Sequence, residues 1–228
     1  VRVLVGDRTE RDAFTDAVRR SGPWDCVIDM ICSDPDDARA LRDACSGIAR
    51  QVVFCSTTNV YPKPADCYPV PETHRLGAAY KNGVDKTACE TVHREAETDG
   101  LYAVTVVRPG QCYGERSSVL HSLGSRTSFL DRLRQGKEVV VHSDGNGLWS
   151  ALHVDDVARV FAAVTGRESA FGQTYNACGE EWMTWAQYYE RVATALGAPS
   201  PRLVRVPVET LVRLCPERAN HVQRSLQF

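Results

Sequence analysis

The residues predict an α/β protein built on a parallel sheet. Apolar runs of strand length alternate with amphipathic helical stretches from Val1 to Val107. Strand, helix and strand joined by short links form right-handed βαβ units. The third observation is where two of the strands stop. Val52–Cys55 runs into Ser56-Thr57-Thr58, and the strand reaching Val107 runs into Arg108-Pro109-Gly110. Ligands of open α/β sheets sit just outside the carboxyl ends of strands, so hydroxyls there, and a lysine on the helix between, are site candidates.

Val1–Val5 alternates as Val-Arg-Val-Leu-Val and reads as a strand, with Gly6-Asp7-Arg8 directly after it. Thr9 with Asp12 has capping-box spacing, and Ala13, Phe14, Ala17 and Val18 make the apolar face of a helix that Gly22-Pro23 stops. Asp25–Ile31 is a mostly apolar strand, buried on both faces. Asp34 caps a helix with Pro35 as its first residue and Gly47 at its end. Val52–Cys55 is the next strand, and Tyr61–Ala79, rich in proline and polar residues, is a loop. Asn82–Ala96 is a helix with Val84, Ala88, Thr91 and Val92 as its apolar stripe, and Tyr102–Val107 is another buried strand.

Beyond an irregular stretch at 114–124, Thr127–Arg134 is a helix ended by Gly136, and Glu138–Val141 a short strand. Asp144–Gly147 is a turn by composition. A helix opens at His153 and runs to Thr165. His153 with Asp155 and Asp156 has the chemistry of a metal pair or a relay, but Asp155 stands in an N-cap position and is read as a cap. The final third reads as a small lobe: strand Gln173–Ala177, a capping box of Thr184 and Gln187 before a helix to Leu196, strand Leu203–Val206, and a last helix after Pro207 with Val208, Leu211, Val212 and Cys215 inward. Domain boundaries are expected at 1–114 and 115–228.

Composition narrows the function. The 228 residues carry a net charge of −2 with 25% charged side chains, and the arginines are interleaved with acids. With no basic cluster to neutralise phosphates, duplex DNA is not an expected partner. The nine cysteines show no Cys-x-x-Cys and no paired histidine spacing, so no metal site is expected and the thiols are read as reduced. No apolar run has membrane length and no charged-then-apolar leader is present in the sequence; the expected location is the cytoplasm.

Three segments in order carry a resemblance: Val52–Tyr61 (VVFCSTTNVY), Asn82–Glu90 (NGVDKTACE) and Val104–Gly114 (VTVVRPGQCYG). Together they resemble the extended short-chain dehydrogenase/reductase family, the NAD-dependent epimerases and dehydratases. That family has a strand ending in Ser/Thr before Val-Tyr, then Tyr-x-x-x-Lys on a helix, then a strand ending in Arg-Pro followed by Tyr-Gly. Thr57 falls on the catalytic Ser/Thr and Lys86 on the lysine; Arg108, Pro109, Gly110, Tyr113 and Gly114 match the segment under the nicotinamide. The departure is Asn82, which stands where the family has its tyrosine.

The resemblance implies a Rossmann-type doubly wound parallel sheet with a small C-terminal α+β substrate lobe, and NAD or NADP as cofactor. It places Asp7, Arg8, Met30, Ile31, Cys32, Ser56, Lys86 and Pro109 against the cofactor, and Thr58, Gln111 and Arg116 on the substrate side. Val1–Val5 and Gly6-Asp7 look like the family's third strand and the acidic residue that contacts adenine. No Gly-x-x-Gly-x-x-Gly or Gly-x-Gly-x-x-Gly occurs in the sequence, so a βαβ unit is expected to be missing upstream. In the family the tyrosinate moves a proton while hydride moves to or from the nicotinamide. A carboxamide has no pKa to bring near neutrality, so Asn82 polarises but does not transfer a proton. Tyr80 is the nearest substitute, and only if the helix begins after it and the loop bends back. The leading function is an NAD(P)-dependent epimerase, dehydratase or reductase acting on a sugar nucleotide or other small hydroxyl or carbonyl substrate. The alternatives are a binding relative without hydride chemistry and, last, an RNA-associated relative. A homodimer through a helix pair including 82–96 is the expected assembly.

Overall fold

The computed structural model describes residues 3–115, 119–124 and 127–218. The chain runs α1 (Arg11–Ser21), β1 (Trp24–Asp29), α2 (Pro35–Cys45), β2 (Ala49–Cys55), a 3-10 turn at Thr58–Val60, α3 (Lys81–Thr98) and β3 (Ala103–Pro109). It continues with β4 (Gln111–Tyr113), α4 (Ser128–Arg134), β5 (Val139–His142), β6 (Leu148–Trp149), β7 (Ala151–His153) and α5 (Val154–Val164). Last come β8 (Thr174–Ala177), β9 (Met183–Thr184), α6 (Trp185–Ala195), β10 (Leu203–Val206) and α7 (Val208–Leu214). Two compact units result: Val1–Gly110 with Asp155–Ala177, and Gln111–Val154 with Cys178–Phe228.

The first unit is a four-stranded sheet in the order β1-β2-β3-β8, every neighbour parallel. Side chains alternate across each strand, and the alternation assigns the helices to faces. Val52 and Phe54 of β2 and Val104 and Val106 of β3 join Leu41 and Cys45 of α2 and Cys89, Val92 and Ala96 of α3 in one apolar cluster, with Phe14 and Val18 of α1 at its margin. The residues between point the other way, and among them Gln51 and Thr105 are buried polar side chains. Gln51 Nε2 donates to Thr105 Oγ1 at 2.9 Å and to the Val164 carbonyl at 3.0 Å, and the Gly166 N–H donates to Gln51 Oε1 at 2.7 Å. These bonds tie the end of α5 to the second face, so helices cover both sides and the sheet is doubly wound.

The local signals at 34–47 hold: Asp34 accepts the Asp36 N–H, Pro35 opens α2, and Gly47 adopts φ +73° just beyond it. Five expectations are corrected. The strand expected at Asp25–Ile31 ends at Asp29 and is not buried on both faces: it lies at the end of the described sheet, and Ile28 is 43% exposed. Residues 3–5 form no strand, and Val5 is 98% exposed; alternation alone does not make a strand without a neighbour to complete the ladder. Thr9 forms no capping box with Asp12. Instead Asp7 Oδ1 accepts the Thr9 N–H and hydroxyl at 2.8 and 2.7 Å, and α1 starts after Glu10. Gln173–Ala177 does not belong to a terminal lobe, because β8 pairs with β3 inside the main sheet. The α3 stripe is misplaced in part: Val92 is buried as expected, but Val84 is 52% exposed and Thr91 is exposed, while Lys86, Glu90 and His93 are buried. Polar partners on the strands beneath make that face the inward one.

His93 yields a pH prediction. Its Nδ1 lies 3.0 Å from the Tyr102 hydroxyl, its Nε2 is buried without a hydrogen-bond partner, and burial pushes its pKa down to about 4. Above the unfolded value of about 6.5 the imidazole is neutral in both states and contributes no slope. Below it the unfolded chain takes up a proton that the folded chain refuses, so stability falls as the pH drops from about 6.5 towards 4. Urea melts should show a loss of about 2 kcal/mol between about pH 7 and pH 5 that His93→Gln removes. An unchanged slope in that variant would refute the assignment.

In the second unit β5 pairs with β10 and β4 with β7, both parallel, and β6 pairs with β9 antiparallel. Its core is aromatic. Trp149 stacks on Trp185 at 4.5 Å, with Phe129, Leu133, Val139, Val141 and Tyr189 around them. Thr184 and Gln187 form the expected reciprocal capping box on α6. Asp155 is not a cap, because α5 begins at Val154 and places Asp155 and Asp156 inside its first turn. Among the described residues no helix is long and apolar enough to cross a membrane, and no group of three His, Cys, Asp or Glu side chains is placed to hold a metal.

Candidate functional site

The carboxyl ends of β2 and β3 and the first turns of α3 build the site. Residue 56 ends the β2 ladder by donating its N–H to the Val107 carbonyl at 2.8 Å. The chain then turns: Thr57 is extended, its hydroxyl accepts the Asn59 N–H at 3.2 Å, and Thr58 opens the 3-10 turn. Helix α3 packs on that turn, and Gly83 makes the approach possible. A Cβ at Gly83 would stand 2.1 Å from the Asn59 carbonyl oxygen and 2.8 Å from Ala78 Cβ.

One turn beyond Gly83, Lys86 is 8% exposed. Its Nζ donates to the Cys55 carbonyl at 2.6 Å and stands 4.9 Å from the centre of the Phe54 ring. An ammonium has three donors, and this contact uses one, so the lysine is aimed at the strand end with donor capacity for a ligand hydroxyl. Asn82 lies four residues earlier, on the same side of the helix and half-buried. Tyr80 is the N-cap of α3 with extended backbone (φ −127°, ψ 152°), so the helix does begin after it. Burial raises the Tyr80 phenol pKa and keeps the hydroxyl protonated at neutral pH.

Beneath these groups lies a buried polar network in which Ser56 and Arg108, expected at the cofactor, are instead tied to Glu90, which the sequence pattern did not single out. Ser56 Oγ donates to Glu90 Oε1 at 2.5 Å. Arg108 Nε and Nη2 grip the same carboxylate at 3.0 and 2.7 Å, and Nη1 donates to the Tyr61 hydroxyl at 2.7 Å and the Glu72 carbonyl at 3.2 Å. The Tyr61 hydroxyl in turn donates to Asn176 Oδ1 at 2.7 Å. The network joins α3, β2, β3, β8 and the 61–79 loop, with Ser56 committed inward and Thr57 left at the strand end. An open cavity of about 540 Å³ reaches Glu90 and Arg108, lined also by Leu76, Thr91, Arg94 and Glu95. Glu90 follows Lys86 by four residues, a spacing that signals a shared face; its partner, eighteen residues further on, carries no local signature.

The other expected site residues are dispersed. Asp7 is exposed and holds Thr9, which depresses its pKa through the hydroxyl and backbone bonds. Arg8 is engaged by Asp29 at 2.8 and 3.2 Å and lies over Phe14. Met30 and Ile31 are exposed at the end of β1, while Cys32 is fully buried in the apolar cluster. Pro109 is buried at the end of β3 opposite Ala177. Gln111 is exposed on β4 in the second unit. Arg116 lies outside the described residues.

Comparison with known proteins gives this geometry a setting. Residues 6–178 match the model of the NAD dependent epimerase/dehydratase family. A 2'-dehydrokanamycin reductase of Streptomyces kanamyceticus is 34% identical over 92% of this chain and 58% of its own length. The chloroplast stem-loop binding protein of 41 kDa b of Arabidopsis thaliana is 27% identical over 88% of this chain and 50% of its own length. The chain thus spans between half and three fifths of these relatives. Among solved structures, dTDP-glucose 4,6-dehydratase from Bacillus anthracis in complex with NAD superimposes with a TM-score of 0.73 at 17% identity, over 90% of this chain and 67% of that one.

Proposed function

The chain belongs to the NAD dependent epimerase/dehydratase family, and from that premise we propose that it is part of a nicotinamide-dependent reductase acting on a ketone carried by a sugar ring. The observation that carries the reading is Lys86, buried and held by the Cys55 carbonyl at the end of β2. The likeness to a reductase of 2'-dehydrokanamycin supports the reductive direction and an aminosugar substrate. The cofactor, NAD or NADP, supplies the hydride. Lys86 fits it, since a buried ammonium with unspent donors matches a ribose hydroxyl pair. Thr57, at the strand end, orients the reacting oxygen. Asn82, one turn before Lys86, donates a hydrogen bond to that oxygen and polarises it.

The proton is the open position in the constellation, and Tyr80 fills it in this reading. A reductase must deliver a proton to the developing alkoxide, and the Tyr80 phenol is protonated at neutral pH and so carries one, although burial raises its pKa away from the working range. The same reading has the protein act in the cytoplasm, on a small-molecule substrate, and as a homodimer through α3. The test is reduced-nicotinamide consumption by the full-length protein with 2'-dehydrokanamycin. Tyr80→Phe should lower kcat by about 10²-fold or more, the contribution typical of a general acid. Asn82→Tyr should raise turnover and relieve the dependence on Tyr80. No nicotinamide consumption by the wild-type protein would overturn the reductase reading in favour of a binding relative. A fully active Tyr80→Phe would overturn the assignment of the acid alone.

A further inference from the structure

Cys32 and Cys89 meet inside the first unit. Their sulfur atoms lie 3.8 Å apart, both side chains are fully buried, and they come from the β1–α2 connection and from α3. We propose that this pair is a site of oxidative modification, in which a low-molecular-weight disulfide converts the two thiols into an intramolecular cross-link between the end of β1 and α3.

The geometry favours the pair over a chance contact in two ways. The sulfurs already touch, so forming the bond needs an approach of about 2 Å, within reach of side-chain rotation and a small loop shift. The two thiols are also chemically unequal. The sulfur–sulfur contact with Cys89 lowers the Cys32 pKa, the nearby Arg8 guanidinium adding to it, while Cys89 is raised by the same contact and by burial. Cys45, in the same apolar cluster, is pushed up to about 12 by burial. Cys32 is therefore the sulfur able to attack as a thiolate, and Cys89 is the resolving thiol.

Access comes from the connection itself. Cys32 follows Met30 and Ile31, which are 51% and 74% exposed, and only the Asp29 carboxylate and the Asp34 carbonyl hold it locally, at 3.3 and 3.4 Å. A segment outside the sheet ladder opens at less cost than the strands beside it. The chemistry balances as two exchanges. The Cys32 thiolate attacks one sulfur of the reagent and expels a thiolate. Cys89, losing its proton, then attacks the Cys32 sulfur and expels the second thiolate. Two protein thiols are oxidised by two electrons, and one disulfide reagent is reduced to two thiols. The product would pin the end of β1 to α3 one turn past Lys86.

The test is oxidation of the folded, full-length protein with oxidised glutathione, followed by acid quench, denaturing alkylation and peptide mapping. The expected result is loss of two alkylatable thiols among the nine in this sequence, a cross-linked peptide pair holding Cys32 and Cys89, and full recovery with dithiothreitol. Cys32→Ser and Cys89→Ser should each abolish that peptide. The wild-type mapping decides the matter even if either variant is unstable. A folded protein that keeps both thiols overturns the proposal. So does a Cys32–Cys89 peptide that forms only in urea, since it would report the unfolded chain.

Discussion

Gly83→Ala should lower the stability of the protein by about 3 kcal/mol, against the ordinary rule for helices. Alanine at an interior helical position normally gains up to about 1 kcal/mol over glycine. Here the added Cβ would lie 2.1 Å from the Asn59 carbonyl oxygen, a backbone atom that no rotamer change can move aside. Either α3 or the 58–60 turn must shift, and overpacking of this kind typically costs about 1–3 kcal/mol, occasionally more. In a chain of this size that lowers Tm by roughly 6–12 °C. Gly6→Ala is the control, because a Cβ there meets nothing within 4 Å. A Gly83→Ala protein melting with the wild type would mean that α3 does not seat against the turn.

Arg108→Ala should destabilise the first unit by about 3 kcal/mol through the carboxylate it leaves behind. Removing one partner of a buried ion pair typically costs about 3–5 kcal/mol. Glu90 keeps only the Ser56 hydroxyl, and the Tyr61 hydroxyl and the Glu72 carbonyl each lose a donor. The lower end of the range applies because the open cavity lined by Glu90 and Arg108 lets water reach the stranded charge. Arg108→Met combined with Glu90→Leu should recover most of the loss, since an apolar pair leaves no uncompensated charge. Urea melts of the two single variants and the double variant give the coupling energy. Strictly additive losses would show that the two side chains do not act as a pair.

Legibility in the sequence followed the range of each interaction. Asp34 with Pro35, and Thr184 with Gln187, are local devices a few residues long, and both were read correctly. β10 also lies at its expected bounds, because an apolar Leu-Val-Arg-Val run stopped by Pro207 shows a strand by itself. The two- and three-residue strands β4, β6, β7 and β9 carry too few residues for any periodicity. The site divides in the same way. Thr57 and Lys86 stand in a recognisable order along the chain. Nothing local marks Glu90 as buried, since Arg108, its partner, stands eighteen residues on, and Tyr61 and Asn176 are 115 residues apart. The face of α3 was misjudged for that reason: its inward side is chosen by Cys55, Tyr102 and Arg108, none of them on the helix.

The placement of β8 beside β3 bears on how the polypeptide is made. Val106–Pro109 finds its partner only in Thr174–Ala177, after the chain has left the first unit and returned. On the ribosome β3 therefore emerges as a bare sheet edge and stays one while the intervening segment is synthesised. An uncovered strand of Val-Val-Arg-Pro is a template for pairing with other nascent chains. Arg108, an inward-pointing charge already drawn in by Glu90, blunts that edge during the wait. The network under the site thus also has a part in the birth of the fold, as a guard on an edge that closes late.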